Sequence, residues 1–244
     1  MKIIVARDYR ELSNVASDFI AAEISKRPNL VLGLATGHTP LELYHQLVKR
    51  YKKGGIDFSK VFVFNLDEYY GAEPSEKQSF SYYLHKNLLD RVNINKENIQ
   101  IIDGKPDSIR KECRRYDDLL SRHKIDLQIL GIGINAHIGF DEPGTSFNSK
   151  THLIRLSKST IKKNFKNKNK KFTQAITIGI SNIIAAKKIL MLASGREKLN
   201  AVREMLCSKI SEKVPATILR KHPDVTLIIT KDIADKLRDD IKTI

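Results

Sequence analysis

Cysteine is scarce in this sequence. Only Cys113 and Cys207 occur, far apart and each within a predicted helix. Their spacing fits neither a metal site nor a disulfide framework, so a reducing, cytoplasmic setting is expected. Long apolar runs are also missing: none approaches the roughly 18 residues of a membrane span. The opening residues Met1-Lys-Ile-Ile-Val-Ala-Arg7 enter a strand pattern directly and lack the apolar stretch and cleavage site of a signal peptide. No Walker A ending and no complete dinucleotide fingerprint appear, and no nucleophilic Ser or Cys stands out. The expectation is therefore a chain with no metal, no cofactor and no membrane partner.

Acidic residues are in deficit, with 28 Asp and Glu against 43 Lys and Arg, for a formal charge of +15. Such a charge can signal nucleic acid. Here the lysines are spread along the chain, and the one dense run, Lys158 to Lys171, is interleaved with asparagine. That pattern reads as solvated surface and compositional bias rather than a nucleic-acid interface. The positive field still favours an anionic substrate.

What the sequence does contain is alternation. Strand-like runs at Lys2–Ala6, Asn29–Leu34, Val61–Asn65, Asp126–Leu130, Ala175–Ile178, Lys188–Ala193 and Val225–Thr230 are interleaved with helical patterns. The helices are expected at Tyr9–Lys26, Thr39–Lys53 (capped by Thr39, with Pro40 in its first turn), Ser79–Asp90, Asp107–Arg122, Gly195–Leu206 and Ile233–Lys242. This order predicts an α/β fold: an open, mainly parallel twisted sheet with helices on both faces, a Rossmann-like three-layer sandwich. No linker divides the chain, so residues 1–244 are read as one domain, and 41% hydrophobic content suffices for one core. In such folds ligands bind beyond the carboxyl ends of the strands.

Four polar motifs fall at such ends. Thr36, Gly37, His38 and Thr39 join a strand to a helix and suit a phosphate cradle, although an ordinary capped turn has the same composition. Asp67 and Glu68 follow the strand ending at Asn65; a buried carboxylate there can act as a base. Asn135, His137 and Glu142 lie in Gly131-Ile-Gly-Ile-Asn-Ala-His-Ile-Gly-Phe-Asp-Glu-Pro-Gly144, where a carboxylate can orient an imidazole for proton exchange near neutral pH. Lys198 follows Ser194-Gly195 and can reach back to a phosphate. Together they describe proton-transfer chemistry on a small phosphorylated substrate.

At these residues the sequence resembles the glucosamine-6-phosphate deaminase (isomerase) family over nearly its whole length. The matching stretches are Leu32–Pro40, Asn65–Tyr69, Gly131–Gly144, Ser146-Phe, Thr151-His, Ser194–Lys198 and Val214-Pro-Ala216. The resemblance implies cofactor-free conversion of glucosamine 6-phosphate and water to fructose 6-phosphate and ammonia. His137 would assist ring opening, tuned by Asn135 and Glu142. Asp67 would move a proton from C2 to C1, and Glu68 would line the pocket. Thr36–Thr39 and Lys198 would hold the phosphate.

The chain also departs from the family. Ala136 replaces the usual Gly, and His38 replaces Gly or Ser. Asp141 replaces Asn, adding negative charge beside Glu142 and shifting the expected pH optimum. The family's Thr-Arg-x-Ala-Asn-Ala-Arg becomes Thr160-Ile-Lys-Lys-Asn-Phe-Lys166, so its phosphate-binding arginine becomes Lys166, which lacks the bidentate fork. Similar erosion in relatives proposed to use galactosamine 6-phosphate makes that sugar the nearest alternative, with tagatose 6-phosphate as product. The basic allosteric residues of some bacterial members are not evident. A phosphogluconolactonase-like hydrolase is disfavoured by the Asp67-Glu68 pair. A non-catalytic sugar-phosphate regulator would need a DNA-binding module, for which no segment is spare. Family members vary in oligomeric state, and a homo-oligomer is one outcome.

Overall fold

The computed structural model describes residues 1–165 and 172–241 of the chain. Seven parallel strands form the main sheet: β1 (Lys2–Ala6), β2 (Val31–Leu34), β3 (Phe62–Asn65), β5 (Ile99–Gln100), β6 (Leu127–Gly131), β9 (Lys188–Ala193) and β10 (Val225–Thr230). Their order is β1-β10-β9-β6-β2-β3-β5. From β2 the chain steps outward to β3 and β5, then returns to β6 and steps the other way to β9 and β10. Right-handed crossovers in opposite directions put helices on opposite faces, as the alternation predicted. The reversal opens a crevice between the carboxyl ends of β2 and β6, and the Thr36 turn and the Gly131 segment begin there.

β9 and β10 are buried along nearly their whole length, as strands covered on both faces must be. Helix α1 (Tyr9–Lys26) packs on β1 and β10 and against α2 (Thr39–Lys52). Asp8 caps α1 by accepting the Glu11 N–H at 2.8 Å. α2 starts differently from expectation. Its cap position is His38, which makes no side-chain cap bond, and Thr39 is already helical. Helices α3 (Phe80–Asn87) and α4 (Ile109–Arg122) are capped by Ser79 and Ser108. The helix expected from Gly195 begins as a 3-10 turn, Arg196–Lys198, and becomes α7 at Leu199–Cys207; α8 covers Lys231–Ile241. Among the described residues no helix is long and apolar enough to cross a membrane.

One part of the architecture was not foreseen. A second, three-stranded antiparallel sheet joins β4 (Asp67–Tyr69), β8 (Gln174–Thr177) and β7 (His152–Arg155) in the order β4-β8-β7. The segment expected as a parallel strand at Ala175–Ile178 belongs here, because it pairs with Asp67–Tyr69 rather than with the main sheet. This sheet shields a small aromatic core. Tyr69 is its hub, with ring centroids 4.5 Å from Phe80, 5.2 Å from Phe172 and 5.6 Å from Phe140. The short helix α5 (Lys158–Asn164) adds Ile161 to this core, while α6 (Ile180–Ile184) buries Ile180 and Ile183 in the main one.

Candidate active site

The site is organised around the turn after β6. Gly133 is there for space: a Cβ at that position would lie 2.4 Å from the His137 ring. The chain then folds back, with the Gly133 N–H donating to the His137 carbonyl at 2.9 Å. Ala136 takes φ 61°, the left-handed region that favours glycine. The expected conflict at this position is thus real, and the buried Ala136 carries it; its carbonyl accepts the Ala216 N–H at 3.0 Å. An Ile138–Asp141 bridge closes the turn.

Three of the expected residues meet directly. Asn135 Nδ2 donates to Glu142 Oε2 at 2.6 Å, and His137 Nδ1 stands 3.5 Å from the same oxygen. Glu142 Oε1 accepts the Thr160 hydroxyl at 2.6 Å and the Ser157 N–H at 3.1 Å. Burial pushes the Glu142 carboxyl up, but His137, Thr160 and the Ser157 N–H together outweigh it and hold Glu142 at about 2. Glu142 is therefore a fixed anion beside His137. Ser157 and Thr160 were not singled out from the sequence. Their Ser-x-x-Thr spacing at the start of α5 was the available signal.

Asp67 sits at the joint between the two sheets. Asn65, the last residue of β3, donates to the Asp67 carbonyl at 2.7 Å, and its own Oδ1 accepts from the Ile102 N–H and the Tyr116 hydroxyl. The chain is pinned there as it crosses from one sheet to the other. Asp67 is buried, and its Oδ1 has no hydrogen-bond partner among the described residues. Burial, with the Glu68 charge added, pushes its carboxyl well above the usual range. Such a group holds a proton avidly, as a base for a carbon acid must.

Glu68 has a different place from the one expected. Side chains alternate along a strand, so Glu68 points away from the face that Asp67 occupies. Its carboxylate accepts N–H groups from Tyr69 at 2.8 Å, Phe80 at 2.9 Å and Ser81 at 2.8 Å. It ties β4 to the first turn of α3, and its oxygens are committed to that task.

The anion cradle lies across the crevice. Gly37 has φ 104°, and its carbonyl accepts the Tyr83 hydroxyl at 2.7 Å; Tyr44 holds the Ala35 carbonyl at 2.5 Å. The Thr36–Gly37 turn is thus fixed from behind while remaining partly open in front. His38 stacks on Tyr9, with ring centroids 5.4 Å apart, and is exposed. Lys198 reaches the neighbouring strand end and donates from Nζ to the Ile132 carbonyl at 2.5 Å. Burial, then the Lys163 charge, lowers its ammonium to about 8. Lys163 on α5, also within 3.7 Å of Glu197, was missed in the sequence because it lay inside a uniform lysine run. Lys166 lies outside the described residues.

Two ammonium groups brought together are stable only where an anion joins them. Lys198→Ala is therefore expected to raise KM for a sugar phosphate about 10-fold or more, with kcat changed far less, the loss of one charge-assisted hydrogen bond. Lys163→Ala should do the same more weakly, since it is more exposed. Steady-state kinetics on both variants checks this, and a fall in kcat alone would remove the lysines from phosphate binding.

A parallel α/β sheet with an imidazole–carboxylate pair, a buried carboxylate and a buried lysine beyond its strand ends is the framework of a sugar-phosphate enzyme. Residues 8–228 match the family described as glucosamine-6-phosphate isomerases/6-phosphogluconolactonase, and the chain belongs to that family. It is 46% identical to a glucosamine-6-phosphate deaminase of Thermoanaerobacter pseudethanolicus, across 100% of this chain and 98% of the relative. It is 48% identical to one of Clostridium acetobutylicum, across 97% and 100%. A solved structure of a monomeric glucosamine-6-phosphate deaminase superposes with a TM-score of 0.94 at 38% identity, covering 96% of this chain and 99% of that one. A 6-phosphogluconolactonase from Thermotoga maritima, at 22% identity and TM-score 0.76, shares the fold.

Proposed function

We propose that this protein is a glucosamine-6-phosphate deaminase: glucosamine 6-phosphate and water give fructose 6-phosphate and ammonia. The observation that carries the reading is a buried, proton-avid Asp67 after β3 together with the Asn135–Glu142–His137 group after β6, the two strands that flank β2. Full-length relatives of the same description support it.

The steps follow from these groups. His137, beside the Glu142 carboxylate, takes the proton of the C1 hydroxyl and delivers a proton to the ring oxygen O5, and the sugar opens to the aldehyde. Asp67 as carboxylate removes the C2 proton, forming an enolamine. The substrate ammonium at C2, while it carries its charge, favours the ionised form of Asp67 beside it. Asp67 returns its proton to C1, leaving an imine at C2. Water adds to that imine and ammonia leaves, giving the 2-ketose. The reaction is thus an aldose–ketose proton transfer joined to hydrolysis of a C–N bond, performed by side chains of one chain. Thr36, Gly37, His38, Thr39, Lys198 and Lys163 hold the phosphate.

The test is ammonia release from glucosamine 6-phosphate and galactosamine 6-phosphate side by side. Preference for the gluco sugar is expected. Preference for the galacto sugar would change the substrate but keep the chemistry, and silence on both would end the deaminase reading.

A further inference from the structure

Asp141 is fully buried, yet neither of its carboxylate oxygens makes a well-formed hydrogen bond. It does not face Glu142's partners, as its position in the sequence suggested. Glu142 turns toward Asn135 and α5, while Asp141 lies over the three-stranded sheet. In that sheet Asp67 pairs with Thr177, and Thr177 pairs with His152, so all three side chains share one face. The Asp141 turn is fastened to that face by the Phe140 N–H donating to Thr177 Oγ1 at 3.2 Å. His152 Nε2 then stands 3.7 Å from Asp141 Oδ1, with its side chain 27% exposed at the rim. Its other nitrogen, Nδ1, lies 2.7 Å from the Lys150 carbonyl, an acceptor, so Nδ1 carries a hydrogen and Nε2 is left for Asp141.

We propose that Asp141 and His152 are a positioning pair for Asp67: between them they hold one proton, which keeps the wall behind Asp67 neutral while Asp67 is ionised. The inference rests on the deaminase reading for its kinetic consequence, but not for its titration. The proton has two sites. Either Asp141 is a neutral carboxyl beside a neutral Nε2, or Asp141 is an anion facing an imidazolium; both states are neutral overall. Burial, then the Asp67 charge, pushes Asp141 up to about 8 against the smaller opposing pull of the Ser149 hydroxyl. Among the described residues, no other ionisable group relieves it. Asp67 faces it from β4, His152 from β7 and the Thr177 hydroxyl from β8. α6 carries no titratable side chain, and Asp117 on α4 is committed to Thr151 and Asn182. When the shared proton leaves, a second buried negative charge stands beside Asp67. Proton removal from C2 builds negative charge on the substrate, so that extra charge opposes the transition state and the rate falls.

The experiment is the pH dependence of kcat at saturating substrate, which reports the complex and is insensitive to loss of charge on Lys198 in the free enzyme. Wild type should show a decline of about 10-fold through roughly pH 8 to 9.5. Asp141→Asn, neutral at every pH, should lose that decline. His152→Gln removes one of the two proton sites and should move the decline to lower pH by about one unit. A wild-type profile without the decline, or one unchanged by either substitution, overturns the proposal. Thermal unfolding tests the pair without substrate. Asp141 is raised in the fold, so its stabilising protonated form is fully present at low pH and is lost as pH rises from about 4 toward 8. The Tm of Asp141→Asn should therefore exceed that of wild type by more at pH 8.5 than at pH 5. If the enzyme releases no ammonia but this gap widens, the pair stands and the deaminase reading falls. A gap that does not widen overturns the pair.

Discussion

Asp67→Asn should lower turnover by about 10³-fold or more, while the substrate still binds. The magnitude follows from what the substitution removes: a positioned general base contributes on the order of 10² to 10⁴, and Asp67 serves twice, at C2 and at C1. Asparagine keeps the size and the buried polarity, and Asn65 still pins the backbone through the residue 67 carbonyl. The fold should therefore be unharmed. It should even gain, because a buried carboxylate with an unpartnered oxygen is replaced by a neutral amide. Binding should persist because the phosphate is held on the far side of the crevice, at the Thr36 turn and Lys198. Two measurements decide the matter: burst-free ammonia release for the rate, and isothermal titration for binding. A second readout is exchange of the C2 hydrogen with deuterated water, which should stop with turnover. An Asp67→Asn enzyme that still exchanged C2 hydrogen would place the base elsewhere.

The main sheet could be read from the sequence because most of its parallel strands are continuous apolar runs followed by a helical period, and six of its seven strands were found close to their observed limits. β5 escaped because two residues carry no periodicity. The antiparallel sheet escaped for a different reason. β4 is only Asp-Glu-Tyr, and its polarity reads as a loop; nothing local reveals that Asp67 is buried and pairs with Thr177. β7, His152–Arg155, is polar and half-exposed, so it lacks the apolar signal as well. The candidate site was legible at the level of residue types after strands. Its contacts were not, because Glu142–Thr160 and Thr177–Phe140 join segments 18 and 37 residues apart. Glu68 shows the cost of reading adjacency as shared function. On a strand, neighbours face opposite ways, and the pair Asp67-Glu68 divides into one group for chemistry and one that holds a helix in place.

His137→Gln should reduce kcat/KM for the closed-ring sugar by about 10²-fold, again within the range for acid–base assistance, and spare the open-chain steps. Glutamine can fill the space that Gly133 leaves and can still hydrogen-bond Glu142, but it has no proton to give to O5. Its effect should therefore depend on how much of the barrier is ring opening. A substrate analogue that cannot cyclise should be deaminated by the variant at nearly the wild-type rate, while glucosamine 6-phosphate itself becomes slow. The Glu142 environment predicts the pH behaviour of the same step. Glu142 is held at about 2, below its ordinary value of about 4.3, so its stabilising interactions are present at neutral pH and fade only as pH falls through the range from about 4 to 2. Across the neutral range the anion beside His137 is constant, so Glu142 itself contributes no titration of ring opening there. Replacing Thr160 with valine removes one donor from Glu142, weakens its hold on charge, and should slow only the cyclic substrate. If His137→Gln slows the acyclic analogue as much as the cyclic sugar, His137 acts in the proton transfer at carbon, and its assignment to ring opening is wrong.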